Sequence, residues 1–595
     1  MASRFSQFLA ELKRRKVYNV AAVYAAVGVA ISIAIPDLFG AFGFPSWAAP
    51  LVIVVIAIGF PVALVLAWAY EVRPEEPRPA GEEEETVPSS GISASAPSMD
   101  PVSTGEVTED REHKSIAVLP FMDMSPEGDQ EYFCDGMAEE LINALTKVKG
   151  LRVAARTSSF HFKGKAEHVR EIGRTLDVRS VLEGSVRRAG DRLRVTAQLV
   201  SAEDGYHLWS ESYDRDLTDV FAIQDEISRS IVETLRPTLL GEVESVPTKQ
   251  ERDLVVAPTR SMEAYDEYLL GRHYWENRYK AGIAAALRHF QKAVELDPDY
   301  ALPYTGVADS YSVLGLFEYL KPEEARLRAK TAAQRALELE ETLSDAHASM
   351  GIRHLWLEWD FEAGALEFDK AIELNPEHAR AHSWLAYLRA VQGRFREAFQ
   401  ELEVARSLDP LSSYIACNTS VVYNLVGQHA TASEILEPIV ARDSVKDPNV
   451  LMAAFLLSWS YELMSKYDLA VQTGEKAVAL SNHAGHFKGA LGSWYGAAGM
   501  EDKARRTLEE LRSRQGSHHV SPLWLAWIHK GLREREEALG CLEQAVAQRC
   551  PYLFTIQQAP EWQPFWTDAR FRELASQVGS GVVSRAWERK GEDCR

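Results

Sequence analysis

Two long runs near the start of the chain consist of apolar and small residues and carry no charge. The first covers residues 17–36 and the second covers residues 46–70. As a helix, residues 47–70 would be about 36 Å long, which exceeds a hydrocarbon core of about 30 Å. A secretory signal peptide would explain the first run alone, but no small-residue cleavage site follows it. The pattern therefore predicts two transmembrane helices, at 17–35 and 47–70.

Basic residues lie at the outer ends of both predicted spans. Residues 13–16 are all Lys or Arg, and Arg73 and Arg78 follow the second span. Because cytoplasmic flanks are rich in Lys and Arg, we expect the basic N-terminus at 1–16 and the large C-terminal body to be cytoplasmic. The first span is the more polar of the two. If it stayed outside the bilayer, a single span would place the body in the periplasm.

The next segment, residues 71–113, is acidic and poor in large apolar residues. It contains the run GEEEE and repeated Pro and Ser. Such a composition buries too little apolar surface to fold, so we predict a disordered linker.

Short apolar runs and amphipathic stretches alternate after this linker. SIAVLPF at 115–121 has the pattern of a buried strand, and four apolar residues from Met137 to Leu145 fall on one helical face. The pattern predicts a small α/β domain over residues 114–245. Its further elements are two helices at HVREIGRTLDV and DVFAIQDEISRSIVETL and three strands at LRVAAR, SVLEGSVRRAG and DRLRVTAQLVSA.

Two polar groups in this domain could carry chemistry. Asp135, Glu139 and Glu140 could act as catalytic carboxylates, but acids at this position are typical of a helix N-cap and first turn. The basic segment RTSSFHFKGK could bind phosphate, but it lacks the spacing of a phosphate-binding loop. We interpret the acids as helix caps and the segment as a solvated loop.

The C-terminal half has a helical repeat. The segments FQKAVELDP, FDKAIELNP and LEVARSLDP place a small or apolar residue at a shared reference position, and most intervals between such positions are 34 residues. This period is typical of tetratricopeptide repeats, in which each helix pair buries its face by stacking. We predict about eight repeats over 261–550, with 551–595 as a C-terminal cap and tail that covers the last repeat with a helix around Asp568–Val578. The reference positions are 293, 336, 371, 405, 439, 477, 511 and 545.

Small residues recur in the same register. An alanine stands seven residues before the reference position in five repeats, where paired helices approach closely, and a glycine marks the turn in three. Gly489, Gly492 and Gly496 could suggest a nucleotide-binding loop, but they fall within a repeat helix, so we interpret them as close-packing positions. The alanines are Ala398, Ala432, Ala470, Ala504 and Ala538, and the turn glycines are Gly393, Gly427 and Gly499.

Several motifs carry a family resemblance. SIAVLPF, YFCDGMAEELINAL, VREIGRTLDVRSVLEGSVRRAG and GYHLWSESYDRDLTDVFAIQDEI, within residues 115–240, resemble the TolB amino-terminal-like domain, also called FlgO-like, of bacterial membrane-anchored tetratricopeptide proteins. LKRRKVYNVAAVYA and GFPVALVLAWAYE resemble the hairpin that precedes it. The resemblance implies a protein of the bacterial inner membrane. Relatives fused to adenylate cyclases or other signalling domains imply a signalling role.

The predicted repeats also indicate where a partner would bind. By the geometry of the tetratricopeptide family, certain positions of each first helix face the concave side, and exposed aromatic residues there would hold a peptide. The alternative is that several of these residues belong to the core between helices. The candidates for this peptide groove are Tyr414, Asn424, Phe455, Trp459, Glu462, Leu523 and Trp527.

The net charge and the absence of known catalytic motifs argue against several classes of function. The net charge is −21, from 86 acidic and 65 basic residues, which disfavours nucleic acid as a partner. The five cysteines form no Cys-x-x-Cys pair, and the chain has no Walker loop, kinase motif set or nucleophile elbow. We therefore expect no catalytic, cofactor-binding or metal-binding residues.

The sequence predicts a multidomain protein with a two-helix transmembrane hairpin, a small α/β domain and an all-α tetratricopeptide solenoid. We expect a non-enzymatic scaffold or adaptor that contacts the lipid bilayer through its hairpin and other proteins through its repeats. Homo-oligomerisation is left open. The alternative is a regulatory component of a cyclase-type signalling system that binds a small ligand through the α/β domain.

Overall fold

The computed structural model describes residues 115–148, 150–165, 167–240, 257–276, 280–442, 447–514 and 519–579. The predicted N-terminus at 1–16, the spans at 17–35 and 47–70 and the linker at 71–113 lie outside these residues. None of the helices in the described ranges is both long and apolar enough to cross a membrane.

The first part of the described chain is an α/β unit, as the alternating pattern predicts. Its strands are β1 (Ser115–Val118), β2 (Met122–Asp123), β3 (Arg152–Val153), β4 (Ser180–Ala189), β5 (Arg192–Ser201) and β6 (His207–Asp216). Its helices are α1 (Glu131–Thr146), α2 (Arg156–Phe160), α3 (Val169–Leu176) and α4 (Val220–Leu240).

These strands form one mixed sheet in the order β3-β1-β4-β5-β6, with β2 paired to β4. β1 runs parallel to β3 and β4, and β4 and β5 form a hairpin that turns at Gly190 with φ of 58°. β6 extends the sheet antiparallel to β5. It was not predicted as a strand because its residues are mostly exposed and polar. Ion pairs across the sheet support it, such as Arg194 to Asp214 at 2.6 Å.

Helices cover both faces of the sheet. On one face, Met137 and Leu141 of α1 pack with the apolar side of β5 and with α4, which confirms the predicted buried face of that helix. On the other face, Ile172 and Leu176 of α3 pack against Val181 of β4. The sheet therefore sits between two helical layers at its parallel end.

The remaining described chain is built from eight successive helix pairs, which gives a tetratricopeptide-type array. The first helices of the pairs are α5 (Met262–Glu276), α7 (Ala301–Leu316), α9 (Ser344–Arg353), α11 (Ala379–Val391), α13 (Ser413–Val426), α15 (Val450–Leu463), α17 (Gly485–Ala497) and α19 (Pro522–Gly531). The second helices are α6 (Lys280–Leu296), α8 (Pro322–Leu339), α10 (Phe361–Leu374), α12 (Phe395–Leu408), α14 (His429–Val440), α16 (Tyr467–Leu480), α18 (Glu501–Ser513) and α20 (Arg535–Ala547).

The packing follows the predicted register. All five alanines that precede the reference positions have no exposed surface. The turn glycines have φ between 74° and 93°, a region that favours glycine because it lacks a Cβ. At Gly489, a Cβ atom would lie 2.6 Å from the Cβ of Trp524, and at Gly496 it would lie 2.5 Å from the backbone of Gly531. These glycines allow α17 and α19 to pack closely, as the sequence predicts.

The array also closes on itself. Glu318, which follows α7 with φ of 53°, is buried, and its carboxylate accepts a hydrogen bond from Nε2 of His519 at 2.7 Å. The neighbouring Phe317 stacks on Phe487 of α17 with ring centroids 5.6 Å apart. The turn between the two helices of the second pair therefore contacts the seventh pair and the connection to the eighth.

Candidate binding surface on the inner face of the helix pairs

Residues 551–566, here called the C-terminal segment, lie against the first helices of the pairs. The segment forms two short 3-10 turns, Pro551–Thr555 and Pro560–Phe565. Helix α21 (Ala569–Ser576) follows, capped by the carboxylate of Asp568, close to where the sequence predicts a helix. We call the surface that the segment contacts the inner face.

The C-terminal segment reaches much further than a cap on the last repeat. Nε1 of Trp359 donates to the carbonyl oxygen of Pro551 at 3.3 Å, and the ring of Phe554 lies 5.6 Å from that of Tyr387 on α11. The sequence predicted contact of the tail with the last repeat, and the segment contacts earlier pairs as well. Aromatic side chains from several helix pairs contact the segment, among them Phe317, Tyr387, Phe455 and Trp527.

The predicted groove residues fall into three groups. Phe455, Trp459, Glu462, Leu523 and Trp527 come together, because they line one cavity of about 70 Å³ beside the C-terminal segment. We call this cavity the tryptophan pocket. Leu523 and Phe455 are buried, whereas the other three are partly exposed. Binding of a peptide by these residues stays a prediction.

Tyr414 lines a second, more apolar cavity of about 110 Å³. Its hydroxyl accepts a hydrogen bond from Nε1 of Trp384 at 2.6 Å. Asn424 lines neither cavity. It is fully buried, and its amide donates to Oγ of Ser460 at 2.8 Å, so it joins neighbouring helix pairs instead.

Other residues of the tryptophan pocket were not predicted from the sequence. They include Trp494 and Lys530 on the helices, and Glu561 and Trp562 on the C-terminal segment. The segment residues lie outside the repeat register, so no periodic signal marks them.

Two carboxylates and one ammonium lie at the tryptophan pocket. Nζ of Lys530 is 2.7 Å from Glu462, and both side chains are about nine-tenths buried. Glu561 accepts a hydrogen bond from Nε1 of Trp459 at 3.0 Å and forms no ion pair with any described residue. Burial, reinforced by the charge of Glu462, raises the pKa of Glu561 to about 7, although Lys530 and the Trp459 hydrogen bond oppose this shift.

A buried histidine supports the aromatic packing next to this pocket. The ring of His486 lies 4.3 Å from that of Tyr552 and 5.2 Å from that of Trp527. Neither ring nitrogen has a hydrogen-bond partner among the described residues. Burial lowers the pKa of His486 to about 3, so the ring is neutral and acts as a packing group.

A buried ionic cluster joins the α/β unit to the first helix pair. Glu139 on α1 forms ion pairs with Arg156 at 3.1 Å and with Arg272 on α5, and Arg156 also binds Glu276 at 2.7 Å. The interpretation of Asp135 and Glu139 as an N-cap and a first-turn acid is wrong. Helix α1 begins earlier, at Glu131, so both acids lie inside it and face basic partners.

The segment RTSSF is a docking contact and not a solvated loop. It forms helix α2, and Ser158 is fully buried. Oγ of Ser158 donates to Asp409 at 2.6 Å, and Thr157 donates to the same carboxylate. The backbone N–H of Leu411 donates to Oγ of Ser158 at 3.0 Å. Burial raises the pKa of Asp409 despite these hydrogen bonds.

No group of three or more His, Cys, Asp or Glu side chains within the described ranges could hold a metal ion. Lys163, which could have bound an anion, instead pairs with Asp135 at 2.6 Å.

We expect Glu561→Gln to stabilise the protein at high pH. The pKa of Glu561 in the folded protein is raised, so ionisation costs the folded state more than the unfolded state, and stability falls as pH rises from about 4.5 to about 7. Glutamine keeps the acceptor for Trp459 and carries no charge. The variant should equal the wild type near pH 4 and exceed it by about 2 kcal/mol near pH 8 after allowance for solvent screening.

Urea unfolding at both pH values measures this effect. The groups that face Glu561 are Glu462, Lys530 and Tyr387, and none of them is altered by the substitution. Glu537→Gln, at an exposed position of α20, is the matched control and should follow the wild type at both pH values. Parallel pH profiles for the wild type and Glu561→Gln would contradict the expectation.

Comparisons with known proteins match parts of the chain. A family model described as HilA/YgeH-like transcriptional regulator, second domain, matches residues 112–230, which include most of the α/β unit. Over 249 residues the chain is 37% identical to "Putative adenylate cyclase 3" of Rhizobium meliloti (strain 1021), which covers 41% of this chain and 40% of that protein. Over 155 residues it is 23% identical to "Transcriptional regulator HilA" of Salmonella typhimurium, which covers 26% of this chain and 28% of that protein.

Among solved structures, a tetratricopeptide repeat protein from Parabacteroides merdae aligns with 14% identity and a TM-score of 0.31, over 46% of this chain and 100% of that chain. The chain spans two fifths or less of the length of the two curated relatives. The resemblance of residues 115–240 to a TolB-like domain stays a prediction. The tetratricopeptide-type array itself rests on the eight described helix pairs and their register.

Proposed function

We propose that the chain is a membrane-anchored, non-enzymatic scaffold or adaptor that binds partner proteins at the inner face of its helix pairs. One observation carries this proposal. The inner face already holds a stretch of polypeptide, the C-terminal segment, through aromatic contacts and through hydrogen bonds such as that from Trp459 to Glu561. The same chemistry is suited to a segment of another protein.

The C-terminal segment itself is too firmly held to be replaced by a partner. Leu553, Phe554, Ile556 and Trp562 are each at most 2% exposed. Burial of a large apolar side chain contributes about 1.5–3 kcal/mol, so these four together contribute about 8 kcal/mol. A partner would therefore bind where the inner face is still accessible, at Trp459, Glu462 and Trp527 and their neighbours.

The proposed membrane anchor rests on the predicted spans at 17–35 and 47–70, and the body would lie on the cytoplasmic side of a bacterial inner membrane. A periplasmic body is the alternative. Partners would be other proteins, and the bilayer would bind only the hairpin. A signalling role or an assembly role at the membrane fits this arrangement.

A regulatory role in a cyclase-type signalling system is the second candidate. The relative named as an adenylate cyclase supports it, because 249 residues of this chain match part of that protein. In this case the α/β unit would bind a small ligand. Formation of cyclic AMP from ATP by the purified protein, lost on point mutation without unfolding, would overturn the non-enzymatic proposal.

The double substitution Trp459→Ala/Trp527→Ala tests the scaffold proposal. Both side chains are partly exposed at the tryptophan pocket, so we expect capture of partners cross-linked to the full chain in cells to fall at least tenfold, equivalent to about 1.4 kcal/mol. Mass spectrometry of the cross-linked proteins measures the loss.

The matched control is Tyr206→Ala/Tyr274→Ala, which removes two exposed aromatic residues that line neither cavity. It should leave capture unchanged. Circular dichroism should show equal helicity in all three proteins. If the tryptophan variant keeps full capture with unchanged helicity, partners do not bind at the inner face.

A further inference from the structure

Four indole rings surround the tryptophan pocket. Trp459, Trp494 and Trp527 belong to the first helices of the last three pairs, and Trp562 belongs to the C-terminal segment. Indole faces attract cations through the ring quadrupole. One ammonium already uses this property, because Nζ of Lys530 lies 5.8 Å from the centroid of the Trp562 ring.

The fixed charges of the pocket do not balance. Lys530 is bound to Glu462, which also accepts a hydrogen bond from Nε1 of Trp494 at 2.9 Å. Apart from its own backbone N–H, the carboxylate of Glu561 has the neutral indole of Trp459 as its only hydrogen-bond donor among the described residues. One carboxylate thus lacks its own cation. The pocket, whose lining residues Trp459, Glu462 and Trp527 are partly exposed, would gain from a second positive charge.

A separate observation points to an occupant. Ser493 is 2% exposed, lines the same pocket, and its hydroxyl has no hydrogen-bond partner among the described residues. A buried hydroxyl without a partner costs about 1–3 kcal/mol. A ligand N–H group that reached this hydroxyl would recover that free energy.

We propose that the tryptophan pocket binds an ammonium group, which pairs with Glu561 and lies between the indole rings. The cavity of about 70 Å³ has room for such a head group with its first carbon atoms, since a water molecule occupies about 30 Å³ in the liquid. The ammonium comes either from a lysine side chain of a partner protein or from a small free alkylammonium. This proposal rests on the proposed function, because it names the group that a partner presents to the inner face.

Binding to the purified full chain tests the proposal near pH 8, where Glu561 is ionised. The probe for a lysine side chain is Nα-acetyl-lysine-N-methylamide, and the probe for a free alkylammonium is choline. The uncharged isostere of choline, 3,3-dimethyl-1-butanol, is the matched ligand control. Quenching of tryptophan fluorescence and isothermal calorimetry report binding.

We expect saturable binding of at least one cationic probe and none of the alcohol. Glu561→Gln should weaken this binding at least tenfold, and Glu537→Gln should leave it unchanged. The probe that binds more tightly identifies the source of the ammonium. Urea unfolding of Glu561→Gln near pH 5 serves as the folding control. At this pH position 561 is uncharged in both folded proteins, so a cooperative unfolding transition shows that the variant is folded.

Three results would overturn the proposal: no binding of either cation, equal binding of the alcohol, or equal affinity in Glu561→Gln. The test is distinct from that of the proposed function. If partner capture depends on Trp459 and Trp527 but no ammonium binds, the cation proposal fails and the scaffold proposal stands. If an ammonium binds while capture is unaffected by those substitutions, the scaffold proposal fails and the pocket stands as a small-molecule site.

Discussion

Replacing Phe554 by alanine is expected to lower the free energy of unfolding by about 3–5 kcal/mol. Phe554 is 1% exposed although it lies outside the helix pairs, and its ring packs against Tyr387 and Tyr552. Its removal leaves a cavity on the inner face that the neighbouring ring of Tyr387 cannot fill, because that ring is held on α11. Urea unfolding monitored by far-ultraviolet circular dichroism measures the loss.

Gln563→Ala is the matched control, since Gln563 lies on the same segment and is exposed. Its effect should stay within about 0.5 kcal/mol. Similar stabilities for Phe554→Ala and Gln563→Ala would mean that the C-terminal segment is not part of the core, and the inner face would then be free for a long peptide.

Replacing Glu139 by alanine is expected to cost a similar amount, about 3–5 kcal/mol, at the junction of the α/β unit and the first helix pair. The substitution leaves Arg272 without this carboxylate and leaves Arg156 with Glu276 alone. Removal of one partner from a buried ion pair leaves a charge that is shielded from water, which is why the cost exceeds that of a surface pair.

Limited proteolysis and urea unfolding check this expectation. The α/β unit should be released from the helix pairs, so cleavage between residues 240 and 262 should become faster than in the wild type. Glu171→Ala, at an exposed position of α3, is the control and should behave as the wild type. Unchanged cleavage and stability in Glu139→Ala would mean that the ionic cluster does not hold the two parts together.

Features that recur at a regular spacing along the chain could be predicted from the sequence. The alanine register and the turn glycines follow from the contact of each helix with its neighbours in the chain, and the structure confirms them. Gly489 and Gly496 were correctly interpreted as packing positions, because their spacing is helical. Strand β6 was missed, because its exposed polar residues lack the alternation of a buried strand.

Contacts between distant parts of the chain could not be predicted in this way. Ser158 and Asp409 are 251 residues apart. Ser158 lies on a short polar helix and Asp409 lies at the end of a repeat, and neither local sequence indicates a distant contact. The candidate site shows the same division. Trp459 and Trp527 were found because they share a helical register, whereas Glu561 and Trp562 lie in a segment without a period. Asn424 was misplaced because its position faces the next helix pair.

The contact between Glu318 and His519 has a consequence for how the protein unfolds. In an open array of repeats each unit touches only its neighbours, so unfolding can begin at either end and proceed inwards. Here Glu318 of the second pair binds His519 in the connection before the eighth pair, and helix pairs between these two contact the C-terminal segment. Neither end of the array can therefore unfold by itself, so we expect the helix pairs to unfold together as one cooperative unit.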